Sequence, residues 1–161
     1  PRQQRGYFAG ARFLHLSRYV DLYQSVFVAD VDGHVSRDVA VMAEEHRDAD
    51  IVLTTKLLDP DREITRLPWE AVSAGSLLVH ATDGGRRFAR QLEAYLHAVV
   101  QNGKSLGRPI WYADHTALFY CWHDAPSDIR FATFTKFAFV QRGSWQLFEG
   151  ERERLQFLAS D

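Results

Sequence analysis

Short apolar runs alternate with amphipathic stretches along this chain, and this alternation restricts the folds open to it more than any other feature. The apolar runs predict strands over 26–29, 51–55 and 72–80, the last interrupted by Gly75. Apolar residues at helical spacing predict helices over 11–24, about 36–47, 83–101 and about 113–122. Strands that alternate with helices are typical of an α/β sheet with helices on its faces.

The predicted ends of these elements follow from local chemistry. Ser36 and Thr82 can cap the helices that follow them, because their hydroxyl oxygens can accept from free backbone N–H groups. Gly103 is expected to end the longest helix. Two late strands are predicted over 137–140 and 145–148, on either side of a turn at 142–144.

Composition excludes several classes of protein. The 161 residues suit a single domain, 1–161, with a core that needs no disulfide or structural metal. One cysteine, with 19 basic and 21 acidic residues, argues against cysteine-rich zinc modules and against a nucleic-acid partner. No apolar run reaches the roughly 20 residues of a transmembrane helix. Because the chain starts at Pro1 without a leader, we expect a cytoplasmic protein of which this is a trimmed piece.

The apolar residues 26–29 are expected to form a buried interior strand. This strand ends in an acidic turn, Asp30-Val31-Asp32-Gly33. Carboxylates at i and i+2 of extended backbone point to the same side, so Asp30 and Asp32 can converge on one point. Hard divalent cations prefer such oxygen ligands, and open α/β sheets bind ligands at the carboxyl ends of their strands. The turn therefore predicts a metal site, with an ordinary polar turn as the alternative, since Asp and Gly favour turns.

Two classes of enzyme use such a turn. An apolar strand followed by Asp-x-Asp resembles the metal-binding motif of glycosyltransferases of the GT-A fold. It also resembles the first motif of haloacid dehalogenase-like phosphatases, in which the first Asp is the nucleophile. In that family a Thr follows the Gly, whereas here His34 stands at that position.

Three further segments favour the transferases. Arg12-Phe13 resembles the Arg-Phe pair on the helix that leads into the motif strand of the family 8 glycosyltransferases, which include glycogenin and bacterial lipopolysaccharide sugar transferases. Residues 72–79, VSAGSLLV, are similar to that family's Asn-(Ser/Ala)-Gly segment, and residues 111–118, WYADHTAL, to its Asp-Gln-x-x-Leu segment. The resemblance spans about residues 7–120 and rests on the order and spacing of the motifs.

The resemblance implies a GT-A-like mixed sheet flanked by helices and a metal-dependent transferase that moves a sugar from a nucleotide sugar, expected to be a UDP-sugar, to an acceptor hydroxyl. Asp30 and Asp32 would hold Mn²⁺ or Mg²⁺ against the donor's diphosphate. Asp114 would act near the reacting carbon of the sugar. The remaining donor-binding residues would be Arg12, Ser73, Gly75 and His115, with Arg12 neutralising charge on the diphosphate.

Three of these residues also have an ordinary structural interpretation. Gly75 can mark a bulge, Asp114 can cap a helix, and an Arg on a helix is often solvated. His115 and Ser73 stand where the family usually has Gln and Asn. The strands that hold the nucleotide base in such enzymes would precede residue 1, so the chain is expected to be the catalytic part of a larger transferase.

Two alternative functions stay open at this point. One is a haloacid dehalogenase-like phosphatase with Asp30 as nucleophile and Asp32 as acid/base. The other is a non-catalytic relative of the transferase fold.

Overall fold

The structure is a computed structural model that describes residues 10–30, 33–35, 37–55, 71–105, 113–134 and 139–141. Within these residues the chain forms four helices and six strands. The helices are α1 (Leu16–Leu22), α2 (Val39–Glu45), α3 (Asp83–Ser105) and α4 (Ala113–His123). The strands are β1 (Ser25–Ala29), β2 (Gly33–Val35), β3 (Ile51–Thr55), β4 (Val72–His80), β5 (Phe131–Thr133) and β6 (Phe139–Gln141).

Four strands form one mixed sheet in the order β1-β4-β3-β5. β4 is antiparallel to both β1 and β3, whereas β3 and β5 are parallel. β2 and β6 form a separate antiparallel pair. The α/β class and the mixed sheet are thus as predicted.

Both faces of the sheet are covered, because alternate strand residues point to opposite sides. On one face, Leu53, Leu77 and Val79 join the main core with Phe88 and Leu118 of the helices. On the other face, a smaller cluster of buried residues consists of Ala49, Val52 and Leu78. Partly buried residues from β1, α2 and the β5 region pack against it, namely Phe27, Ala43, Ala132 and Phe134. Seven consecutive residues of β4, 74–80, are buried, as expected of a central strand.

β4 carries an irregularity where the sheet approaches the acidic turn. Leu53 pairs with Leu77, but the next residue of β3, Thr54, pairs with Ser73. Residues 74–76 of β4 are therefore extra relative to β3, which is the geometry of a β-bulge. The predicted interruption at Gly75 lies at the centre of this bulge.

Several predicted boundaries need correction. The strand 26–29 was expected to be a buried interior strand, but β1 lies at the edge of the described four-stranded sheet and its residues are only partly buried. α2 begins after Asp38, whose carboxylate accepts from Ala40 N at 2.7 Å, so Ser36 is not its cap. Gly103 does not end α3, which continues to Ser105. β2 and β5 were not predicted.

Other boundaries agree with the sequence. Thr82 does cap α3, since its Oγ1 accepts from Gly85 N at 3.0 Å. The late strand predicted over 137–140 overlaps β6, while its partner at 145–148 lies outside the described residues. No helix in the described ranges is long and apolar enough to cross a membrane.

Candidate active site

Arg12 lies at the centre of a cluster of polar groups at one end of the sheet. The residues around it are held by core packing, because Phe13 and Leu16 are fully buried and Phe13 N donates to Gly10 O at 3.0 Å. The guanidinium carbon lies 4.7 Å from the centre of the Phe13 ring. Anchored in this way, the Arg12 side chain is directed to the sheet and is only 18% exposed.

The Arg12 guanidinium joins three segments that are distant in the sequence. Nη1 forms an ion pair with Oδ1 of Asp30, which follows β1. Nη2 donates to the carbonyl oxygen of Ala74 in the β4 bulge at 2.7 Å, and to Oδ2 of Asp114 in the first turn of α4 at 3.1 Å. The three segments singled out by the family resemblance, together with Asp30, therefore meet at the Arg12 side chain.

Asp114 is the most buried acid of this cluster, with 6% of its side chain exposed. Its two oxygen atoms have different partners. Oδ1 accepts from His115 N at 2.9 Å at the start of α4, and Oδ2 accepts from Arg12. A carboxylate at a helix N-terminus is stabilised by the helix dipole and the free N–H groups. The structural and the functional interpretations of Asp114 are thus compatible.

Asp30 is fixed by the backbone as well as by Arg12. Its N–H donates to Gly75 O at 3.0 Å, which continues the pairing of β1 with β4 beyond Ala29. About a fifth of its side chain, 20%, is exposed. The carboxylate therefore lies at the boundary between the core and solvent, where a ligand can reach it.

The other predicted donor-binding residues surround the same bulge. The hydroxyl oxygen of Ser73 accepts from Gly75 N at 3.3 Å. The ring Nδ1 of His115 lies 3.3 Å from the carbonyl oxygen of Val72, at the start of β4. Ser73, Gly75 and His115 thus all lie next to the segment that carries the Ala74 carbonyl.

The predicted metal ligands are represented by Asp30 alone, because Asp32 lies outside the described residues. Within those residues, no group of three or more His, Cys, Asp and Glu side chains could hold a metal ion. Carboxylates are the right kind of ligand for Mn²⁺ or Mg²⁺, and Mg²⁺ is commonly held by one or two of them with phosphates and water. Asp30 and Asp32 are therefore suitable types of ligand for a divalent cation, and the substrate would supply further oxygens.

Two features of this site were missed by sequence reasoning. The Ala74 carbonyl is a backbone group, and the only signal for it was the glycine beside it, which marked the bulge. The hydroxyls of Thr54 and Ser76 lie 3.1 Å apart beside the bulge. Nothing in the sequence pattern distinguished these hydroxyls from ordinary strand residues.

A second polar cluster, also missed, lies at the opposite end of the sheet. Asp50 is 3% exposed, and its carboxylate accepts from Thr82 Oγ1 at 2.6 Å and from Arg130 N at 2.7 Å. Burial alone would raise the pKa of Asp50, but the hydrogen bonds from Thr82 and Arg130 outweigh burial and lower it. Next to it, burial lowers the pKa of His80, whose Nδ1 lies 2.9 Å from the Ser25 hydroxyl. This cluster ties β3, β4, α3 and the segment before β5 together.

Cys121 is a buried residue of the core on α4. Burial raises the pKa of its thiol to about 12. A thiol with such a pKa is a poor nucleophile at neutral pH.

Comparison with protein-family models, with curated proteins and with solved structures found no match to this chain.

Proposed function

We propose that this chain is the catalytic part of a metal-dependent glycosyltransferase with a GT-A-like sheet, which moves a sugar from a nucleotide sugar to an acceptor hydroxyl. The observation that supports the proposal is the contact of Arg12 with Asp30, Ala74 and Asp114. The sequence separations are 62 residues between Arg12 and Ala74 and 102 between Arg12 and Asp114. Motifs chosen for their order along the chain thus lie together at one end of the sheet, as residues of one site must.

The reaction exchanges one bond at the sugar. The bond between the anomeric carbon and the diphosphate oxygen breaks, the acceptor oxygen bonds to that carbon, and the acceptor proton is released. Asp30 and Asp32 would hold Mn²⁺ or Mg²⁺, which when bound supplies positive charge to the departing nucleoside diphosphate. Asp114, oriented by Arg12 and by the start of α4, would hold the sugar through its hydroxyls. Ser73, Gly75 and His115 would line the donor beside it.

The same geometry favours a transferase over the phosphatase alternative. In a phosphatase with Asp30 as nucleophile and Asp32 as acid/base, substitution of Asp114 is expected to have little effect, since the covalent step takes place on Asp30 itself. In this chain one guanidinium contacts both carboxylates. The contact gives Asp114 a position in the same site as Asp30.

The proposal is tested by the release of nucleoside diphosphate from a panel of nucleotide sugars, with Mn²⁺ and with EDTA. Asp30→Asn and Asp32→Asn should each lose metal and donor affinity, whereas Asp114→Asn should slow transfer and retain metal binding. Asp83→Asn is the control, because the Asp83 side chain is fully exposed at the start of α3. A phosphoryl group trapped on Asp30, or full activity in Asp114→Asn, would overturn the assignment.

A further inference from the structure

The direction of the Arg12 side chain bears on what Arg12 does. A guanidinium has five N–H donors on one planar group. In Arg12 the two terminal nitrogens contact three protein oxygens, and the third nitrogen, Nε, is buried without a partner in the described part of the chain. The cation is thus oriented towards the protein.

The three charged side chains that contact each other are largely buried. The exposed fractions of the side chains are 18% for Arg12, 20% for Asp30 and 6% for Asp114. Charges that are largely shielded from solvent are screened less than exposed ones. Without the guanidinium, Asp30 and Asp114 would lose the cation that both contact, and the repulsion between the two carboxylates would no longer be offset by it.

The Ala74 carbonyl adds a third attachment. It lies within the three residues of β4 that are extra relative to β3. Because Nη2 donates to both Ala74 O and Asp114 Oδ2, the bulge and the start of α4 are held by one nitrogen atom. A shift of α4 relative to the sheet would break one of these two bonds.

We propose that Arg12 is a positioning residue that couples Asp30 to Asp114, so that the metal-binding end and the sugar-binding end of the site keep a fixed separation. This inference rests on the proposed function and changes the part that Arg12 was expected to play, since the sequence suggested that it neutralises the diphosphate. A residue that contacts the diphosphate sets donor affinity. A positioning residue sets the rate of transfer, since a displacement of about 1 Å can cost 100-fold in rate.

The test is a mutant cycle of Arg12→Gln, Asp114→Asn and the double variant, with Arg12→Lys and Arg18→Gln added. Arg18 is the matched control because it is an exposed Arg on α1, near Arg12 in the sequence. Each variant is assayed for kcat and KM with a UDP-hexose and Mn²⁺, for Mn²⁺ affinity without nucleotide, and for its midpoint of unfolding in urea.

If Arg12 couples Asp30 to Asp114, Arg12→Gln should lower kcat about 100-fold and leave the KM for the sugar donor within a few-fold of wild type. The loss of rate in the double variant should be smaller than the product of the two single losses, since both substitutions remove the contact between Arg12 and Asp114. Arg12→Lys should recover part of the rate, because an ammonium keeps the charge and loses the planar fork. The urea midpoints of the two single substitutions should likewise be non-additive, and Arg18→Gln should match wild type in every measurement.

The opposite pattern overturns the inference. If Arg12→Gln raises the donor KM at unchanged kcat, or if its effect multiplies with that of Asp114→Asn, Arg12 contacts the donor. If wild type neither turns over nucleotide sugars nor binds Mn²⁺, the proposed function fails, and the role of Arg12 in it fails too. Activity in wild type together with additive urea midpoints would instead refute the coupling and leave the transferase proposal standing.

Discussion

Replacing Asp50 by Ala should destabilise the fold more than any other single loss of a polar side chain at the end of the sheet remote from Arg12. The carboxylate is 3% exposed and accepts two short hydrogen bonds, from Thr82 Oγ1 at 2.6 Å and Arg130 N at 2.7 Å. A further bond from Arg130 Nη2, at 3.2 Å, involves a side chain that is 59% exposed. The guanidinium regains water when this third bond is lost, so its contribution is small.

The magnitude follows from the two buried bonds. Hydrogen bonds to a charged group contribute about 1.5 to 3 kcal/mol each, and a buried donor left without a partner costs a similar amount. The recovered desolvation energy of the carboxylate offsets part of the sum, which leaves a loss of about 3 kcal/mol. For a chain of this size the loss corresponds to a fall in Tm of roughly 6 to 12 °C.

Urea unfolding of Asp50→Ala and of Asp83→Ala provides the assay. Asp83 is the matched control, since it lies only one residue beyond Thr82 and its side chain is fully exposed. Asp83→Ala should cost less than about 1 kcal/mol, the usual contribution of an acid to the first turn of a helix. If the two variants unfold within about 1 kcal/mol of each other, a scatter typical of surface substitutions, the cluster around Asp50 does not stabilise the fold as argued.

Three further predictions follow from the same packing. Gly85→Ala should lower Tm although Ala has the better helix propensity, because the new Cβ would collide with the His80 carbonyl oxygen. The free energy of unfolding should fall by about 2 kcal/mol net, and a rise in Tm would contradict this packing. The free energy of unfolding should fall as the pH drops below 6.5, since burial lowers the pKa of His80 and the unfolded chain then binds more protons than the folded one. In urea titrations at several pH values, His80→Gln should lose this dependence on pH, and the exposed control His97→Gln should keep it. Cys121 should resist thiol reagents at pH 8, because burial raises its pKa to about 12, and rapid labelling of the native protein would show that the core opens.

The long elements could be predicted because their residues carry the pattern themselves. β4 contains a long apolar run, and α3 spans enough residues to show a period of 3.6. β2 and β5 have three residues each, too few for a pattern, and they exist because of their partners β6 and β3. The strand order has the same origin: β1 looked like an interior strand by its apolar residues, but only long-range pairing decides that it lies at an edge.

The candidate site divides in the same way. The residue types and motif order of Asp30, Asp114 and Gly75 are visible in the sequence, and they predicted the region that the fold brings together. The direction of the Arg12 side chain is not visible, because it depends on a carbonyl at Ala74 that the β4 bulge makes available. A backbone acceptor leaves no trace in the side-chain pattern, so the bond from Arg12 to Ala74 could not be predicted from the sequence.

The central claim, that Asp30 and Asp114 belong to a metal-dependent nucleotide-sugar site, is tested most directly by thermal unfolding with Mn²⁺, with UDP and with both together. The pair should raise Tm by more than the sum of the separate shifts, because the metal and the diphosphate would complete each other's coordination. At 100 times the dissociation constant the rise should be about 5 to 10 °C, and Asp30→Asn should abolish it while the control Asp83→Asn retains it. An additive response, or the same cooperative shift in Asp30→Asn, would show that Asp30 holds no metal against a diphosphate.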